Sequence, residues 1–431
     1  MRLQLTSVLK RFLKGGAIYA ISDILRKLSP FILLPLYIST LSVDSFGKLE
    51  YVTVISTLFC FLIGWGSVQG LLRLYVDDGS KYVTTSILIV SLSCFLLFIV
   101  TFFLGLSSTF ITLIGLESVD VLYACIIFGW LFAINNIAFT ILRVEERLFE
   151  FALLNLISTI IQISAIAFFI LYINNDYLSK IFGLILSNFI LLVILYKKVI
   201  STKIVYISSK SYVNHALKFY TPIAFNNLLG WGKSSVDKIT VKALLGDEAL
   251  GFYSLAVQLT QIFKLGTESF LKSLNVLIYK NQHLVKKLEN NRVWLIVILQ
   301  IFALIYFLFL LAMNKYNVFG DYQISLSVIA VLLCSRVILL TNYVETLMFY
   351  AKKNSLFVMK SNLISFIVLA LSIIPLVDNF GALGAALSLI ISSMTHYVLL
   401  SNKLSGNLSK LLQFVVCLLL PWFFVFQFNT A

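Results

Sequence analysis

The chain has 431 residues, of which 60% are hydrophobic and only 12% charged, where soluble domains carry about a quarter charged residues. Its formal charge of +14 would suit a nucleic-acid binder only if the lysines and arginines were clustered, and they are spread between apolar runs. Those runs are about twice the roughly ten-residue alternating segments of a membrane β-barrel. Together these features exclude a soluble enzyme and a barrel and point to an all-α polytopic membrane protein.

Residues 1–14 carry Arg2, Lys10, Arg11 and Lys14 among Leu3, Leu5, Val8, Leu9 and Phe12, a pattern suited to a short helix lying on an anionic leaflet. This basic interfacial N-terminus is not a cleavable signal, because the apolar run after it is too long. Spans are expected at about 15–41, 48–73, 83–104, 119–142, 151–173 and 178–197, forming an N-terminal lobe over 15–197. A basic linker fills 198–217. Spans at about 216–244, 250–278, 293–313, 322–349, 356–376 and 380–402 then form a C-terminal lobe over 218–402. Residues 403–431 hold one more hydrophobic segment, 411–428, interrupted by Pro421, which either spans the membrane or lies at its surface.

Loop charges set the orientation, because cytoplasmic loops are enriched in Lys and Arg. With the N-terminus cytoplasmic, that side holds 22 of the 33 lysines and arginines, and the other side holds Lys48, Lys180, Lys242 and Lys315. The remaining cations lie within spans. The split accounts for the basic balance without any nucleic acid.

The chain repeats itself once. Leu41-Ser-Val-Asp44-Ser-Phe46-Gly47 returns as Leu245-Gly-Asp-Glu248-Ala-Leu250-Gly251, each between the first and second helix of its half. Equal spacing and equal topology predict two six-helix bundles related by a pseudo-twofold axis along the membrane normal, with a site between them.

The first span carries Asp23, Arg26 and Lys27; the seventh Lys233, Asp237 and Lys238; the eighth Lys264, Glu268 and Lys272; the tenth Arg336 and Glu345. Asp23 and Lys27, and Lys233 and Asp237, are four apart and share helix faces. At 1.5 Å per residue, Asp23, Arg26, Lys264 and Arg336 lie roughly 12–21 Å deep. Any single pair can be read as a structural ion pair. The set has seven cations against four anions, and unpaired ions cost several kcal/mol each in a dry site. A water-filled cavity that takes an anion resolves that surplus.

Other motifs carry less. Gly230-Trp-Gly232-Lys233-Ser234 resembles the end of a phosphate-binding loop, but the first glycine of that motif would fall at Asn227. No nucleotide hydrolysis is expected. His215, His283 and His396 show no metal spacing, and nothing forms a catalytic pattern, so no enzyme and no cofactor are expected. Cys60, Cys94, Cys125, Cys334 and Cys417 lie in apolar runs and read as packed thiols. Gly381, Gly384, Ala385, Ser388 and Ser392 make a small-residue packing face.

Several motifs carry a resemblance. Lys14-Gly-Gly-Ala-Ile-Tyr, Pro30-Phe-Ile-Leu-Leu-Pro35-Leu-Tyr, Leu41 to Gly47, Gly64-Trp-Gly66 and Arg73-Leu-Tyr are followed by Tyr220-Thr-Pro222, Ser235-Val-Asp237-Lys238, Leu250-Gly-Phe-Tyr-Ser254 and Gly381-Ala-Leu-Gly-Ala-Ala386. In order and spacing, over about residues 12–402, they resemble the Wzx-type polysaccharide flippases of the multidrug/oligosaccharidyl-lipid/polysaccharide exporter superfamily. The resemblance implies a two-lobed transporter of the bacterial inner membrane. It would flip an undecaprenyl-diphosphate-linked oligosaccharide, a repeat unit of O-antigen or capsule, from the cytoplasmic to the periplasmic leaflet by alternating access. Arg26 and Lys27 are then the first candidates for diphosphate contact, with Lys264 and Arg336 next and Lys233, Lys238 and Lys272 as further cavity cations. Asp23, Asp237, Glu268 and Glu345 are the pairing acids, and any of them is a candidate carrier of a coupling proton or sodium ion. Membrane lipids and other polysaccharide assembly proteins are the expected partners, and a monomer is the expected unit. A multidrug or lipid II exporter of the same superfamily, and a membrane-embedded polymerase or glycosyltransferase, are the alternatives. The cationic surplus speaks against export of cations, and the external loop at about 105–118 lacks an arginine for a polymerase.

Overall fold

A computed structural model describes residues 25–105, 111, 114–173, 176–204, 210–280, 292–316, 318–319, 322, 325–351 and 355–405. Residues 1–14 and 411–428, for which an interfacial helix and an extra span are expected, lie outside them. Among the described residues there is no strand, and eight helices are long and apolar enough to cross a membrane. The chain is an all-α polytopic membrane protein.

Residues 25–32 are helical, and the helix breaks at Leu33 before α1 (Leu34–Thr40). Pro35 in the first turn of α1 explains the break: it has no N–H to give, and its ring collides with the carbonyl four residues earlier. There follow α2 (Val43–Gly64), α3 (Ser67–Gly105), α4 (Val119–Val144), α5 (Leu148–Phe168), α6 (Leu178–Leu195), α7 (Lys210–Lys280), α8 (Arg292–Lys315), α9 (Leu326–Ala351) and α10 (Ser355–Ser405). Two of these are helix pairs run together. Gly246 breaks α7 with φ 89°, and Gly381 breaks α10 with φ 58°, a backbone conformation that glycine adopts without steric cost. The break at Gly246 falls between the spans expected at 216–244 and 250–278; the break at Gly381 falls just inside the span expected at 380–402.

The chain divides into two compact units, one of Met1–Leu41 with Leu49–Trp231, the other of Ser42–Lys48 with Gly232–Ala431. In the first, α4 is central: 78% of its most apolar stretch is buried, and α3, α5 and α6 pack around it. The apolar stretch of α3, by contrast, is only 22% buried. Its Phe95, Phe102 and Phe103 stay exposed, as a lipid-facing surface requires. In the second unit α9 has the central place, also 78% buried, with α8 and α10 against it.

One end of the first unit is held by ions. Lys203 pairs with Glu145, which also accepts a hydrogen bond from the Tyr75 hydroxyl at 2.7 Å and faces Arg147 at 3.5 Å. Arg147 in turn donates to Glu150 at 2.9 Å. Burial alone would raise the Glu145 carboxyl, but the bonds from Lys203, Tyr75 and Arg147 outweigh it and hold the group below the usual carboxylate range. The ionised form therefore stabilises the fold above the unfolded value of about 4.3, and that contribution is lost as pH falls through the folded value. Glu145→Gln is expected to lower stability at pH 7 by about 1–2 kcal/mol. The gap from the parent should close below about pH 4, as read by melting of the detergent-solubilised protein.

The motifs of the resemblance become contacts. In the first unit the helix breaks at Trp65-Gly66, both with positive φ (40° and 69°). The Trp65 indole N–H donates to Thr221 Oγ1 at 3.2 Å, and a side chain on Gly66 would strike the Tyr220 carbonyl oxygen at 2.5 Å. The Tyr220 ring fills the space beside Gly70, and its hydroxyl lies 2.9 Å from Ser86 Oγ. In the second unit the two copies of the repeat meet. A Cβ on Gly47 would come 1.9 Å from the carbonyl oxygen of Asp247, and one on Gly251 would come 2.2 Å from that of Val43. Each glycine stands against backbone of the other copy.

Candidate binding site

The first unit holds a cavity of about 290 Å³, with walls from α2, α3, α4 and the first part of α7. Thr57, Cys60, Phe61 and Gly64 come from α2, Gly66 from the turn after it, Val68 and Gln69 from α3, Phe128, Phe132, Ala133 and Asn136 from α4, and Asn227 from α7. None of these is charged. Helical spacing explains the α4 set: Phe128, Phe132 and Asn136 are four apart and share one face. The Arg26 guanidinium sits 5.6 Å from the ring centroids of Phe132 and Phe139. Such a cation over aromatic faces is stabilised by the ring quadrupoles, more so when desolvated. A half-buried cation is thus placed on a residue that lines the cavity, while Lys27 beside it is exposed. Asp23 lies outside the described residues.

The other candidate residues lie in the second unit. Lys233 Nζ donates to Asn362 Oδ1 and Ser365 Oγ, each at 2.7 Å. Its hydrogen-bond partners are neutral groups of α10, and the helix-face neighbour Asp237 is engaged elsewhere. Asp237 is buried at 3% exposure and accepts a 2.8 Å hydrogen bond from the Tyr253 hydroxyl, and the charges of Lys238 and Arg336 act on it. The structure therefore brings Asp237, Lys238, Arg336 and Tyr253 into one electrostatic group, and Lys233 into another with α10. Glu345 is buried at 1% exposure, further along α9. Lys264 is half-buried on α7. Glu268 and Lys272 lie on α7 too, but their side chains fall outside the described residues.

Sequence reasoning passed over two groups. The amides Gln69, Asn136 and Asn227 line the cavity, and the signal for them was polar residues standing in apolar spans. Glu50 and Lys180 form a 3.1 Å ion pair with side-chain exposures of 4% and 12%, and Lys180 also lies 5.7 Å from the Tyr37 ring centroid. Lys180 reads in the sequence as a loop lysine at the end of a span. Its partner is 130 residues away, and nothing local announces it.

Residues 12–274 match the model of a family described as polysaccharide biosynthesis protein. A Haemophilus influenzae protein, Lsg locus putative protein 1, is 23% identical over 390 residues, covering 84% of this chain and 90% of that one. Among solved structures, the inward closed conformation of the lipid II flippase MurJ has a TM-score of 0.60 at 17% identity, covering 94% of this chain and 92% of its own. The inward-facing conformation of a multidrug resistance MATE family transporter of the MOP superfamily has a TM-score of 0.64 at 14% identity, covering 90% and 95%. At these identities the structures share the fold. Both are described as carriers across membranes, a flippase and a transporter, and neither as an enzyme.

Proposed function

Since the chain belongs to the polysaccharide biosynthesis protein family, we propose that it flips an undecaprenyl-diphosphate-linked oligosaccharide, an O-antigen or capsule repeat unit, across the bacterial inner membrane. The observation that carries this reading is Arg26: a guanidinium 5.6 Å from the ring centroid of Phe132, a residue that lines a cavity whose described lining is neutral. A diphosphate must lose water to pass the bilayer, and a guanidinium's planar fork replaces that hydration by two parallel hydrogen bonds. Lys27 is the second diphosphate contact, and Lys233, Lys238, Lys264, Lys272 and Arg336 are further candidate cations for the anion. Asp237 and Glu345, with Asp23 and Glu268, balance these cations when no substrate is present. Any of the four acids is a candidate for a coupling proton or sodium ion. Alternating access needs a ligand with different affinity in two states, and a cation that exchanges an internal partner for a diphosphate supplies that difference. The N-terminus is cytoplasmic, transport runs toward the periplasmic leaflet, and the chain acts as a monomer.

The test is surface polysaccharide in a strain lacking the protein. Polysaccharide ladders should disappear from gels and lipid-linked oligosaccharide should accumulate on the cytoplasmic side. Complementation should fail with Arg26→Ala and with Lys27→Ala while both proteins remain in the membrane at parent levels. Normal ladders from both variants would refute the diphosphate assignment. Unchanged ladders in the deletion strain together with new drug sensitivity would move the chain to multidrug export.

A further inference from the structure

We infer that the cavity of the first unit is a saccharide subsite, in which the first sugar ring of the substrate sits between the amides of Gln69, Asn136 and Asn227 and the rings of Phe128 and Phe132. The inference rests on the flippase reading and goes beyond it by separating the group that holds the sugar from the cations that hold the diphosphate.

The chemistry of the walls selects the ligand class. Among the described residues that line the cavity there is no Asp, Glu, Lys or Arg. These described walls therefore offer neither a carboxylate to a lipophilic cation nor a cation to a bare anion. What the walls offer is neutral donors and acceptors in pairs. The Asn227 amide donates to Gln69 Oε1 at 3.1 Å, which leaves the Gln69 N–H₂ and the Asn227 carbonyl for a ligand. Asn136 donates one N–H to the Phe132 carbonyl at 2.8 Å and keeps its own carbonyl and second N–H. Thr57 Oγ1 gives its proton to the Val54 carbonyl at 2.8 Å and remains an acceptor. Side-chain amides of this kind match vicinal hydroxyls, each of which both donates and accepts. The phenyl rings match the C–H faces of a pyranose.

Two further facts fit. The volume of about 290 Å³ stands at the low end of small-ligand pockets, roughly 300–1,000 Å³, which suits one ring rather than a whole repeat unit. Phe132 both lines the cavity and lies under the Arg26 guanidinium, so a group bound in the cavity is next to the cation. In a lipid-linked sugar the first ring is bonded directly to the diphosphate, and the protein repeats that adjacency.

The experiment uses the full chain in lipid nanodiscs and two probes. One is undecaprenyl diphosphate; the other is lipid-linked oligosaccharide extracted from the producing strain. In the parent the glycan should raise affinity at least tenfold over the bare lipid. Gln69→Leu and Asn136→Leu should each cut that ratio at least fivefold, and Asn136→Gln should restore part of it. Gln69 is exposed on α3, so its variant tests the idea even where the Asn136 variant fails to fold. A parent ratio near one, or ratios unmoved by both leucine variants, would overturn the subsite while leaving the flippase reading intact. Binding of neither lipid by the parent would overturn both.

Discussion

Replacing either Gly47 or Gly251 with valine is expected to abolish export and to lower the melting temperature of the purified protein by several degrees. The two glycines close the two copies of the internal repeat. An added Cβ on Gly47 meets the Asp247 carbonyl oxygen at 1.9 Å and lies 3.0 Å from the Gly251 nitrogen. An added Cβ on Gly251 meets the Val43 carbonyl oxygen at 2.2 Å. Both obstacles are backbone, so no rotamer change relieves them and the two helix segments must separate. Overpacking that side chains can absorb already costs about 1–3 kcal/mol, and here that relief is missing. Alanine should be nearly as harmful as valine, because the first carbon makes the clash. Gly230→Ala is the control: nothing lies within 4 Å of its added Cβ, and alanine favours a helix over glycine by about 1 kcal/mol. If Gly47→Val and Gly251→Val melt and export like the parent, the close approach of the two helix segments is not required.

That contact also measures what the sequence could disclose. The recurrence of an acid and a glycine 204 residues apart is visible in the chain, and so is its place after the first helix of each half. That the two copies touch is not visible, because no local pattern encodes a contact at that separation. The helices themselves were legible, since apolar runs of about 20 residues have few other uses. So was the break at Gly246, a glycine between two runs; Gly381 reads in the sequence as the start of a span. The break at Trp65-Gly66 was not: a tryptophan at φ 40° is held there by Thr221 from α7, a tertiary cause.

The candidate site was legible in part for a related reason. Charges inside apolar runs stand out in a sequence, so Arg26, Lys233, Asp237 and Arg336 are candidates from the sequence alone. Their partners did not stand out. Spacing on one helix favours Lys233 with Asp237, yet Lys233 bonds to Asn362 and Ser365 and Asp237 to Tyr253. Neutral amides and hydroxyls on other helices won because they can approach the charge from the right direction. The same blindness hid Gln69, Asn136 and Asn227, whose amides gain meaning only when α3, α4 and α7 enclose one volume.

The buried pair of Glu50 and Lys180 gives the second large effect. Breaking such a pair from one side leaves a buried charge without compensation, at a cost of about 3–5 kcal/mol, while replacing both partners with apolar groups is often close to neutral. Lys180→Met should therefore destabilise strongly, because it removes the ammonium 3.1 Å from the Glu50 carboxylate, which is 4% exposed. Glu50→Leu should do the same from the other side by stranding an ammonium against the Tyr37 ring. The double variant should recover most of the loss, and the non-additivity between single and double variants measures the coupling. The readout is melting of the solubilised protein, run beside export in the deletion strain. If the pair only fastens α2 to α6, export should return with stability in the double variant. If stability returns and export does not, the pair belongs to the transport cycle, and one of its two charges must change partner or protonation as the protein switches state.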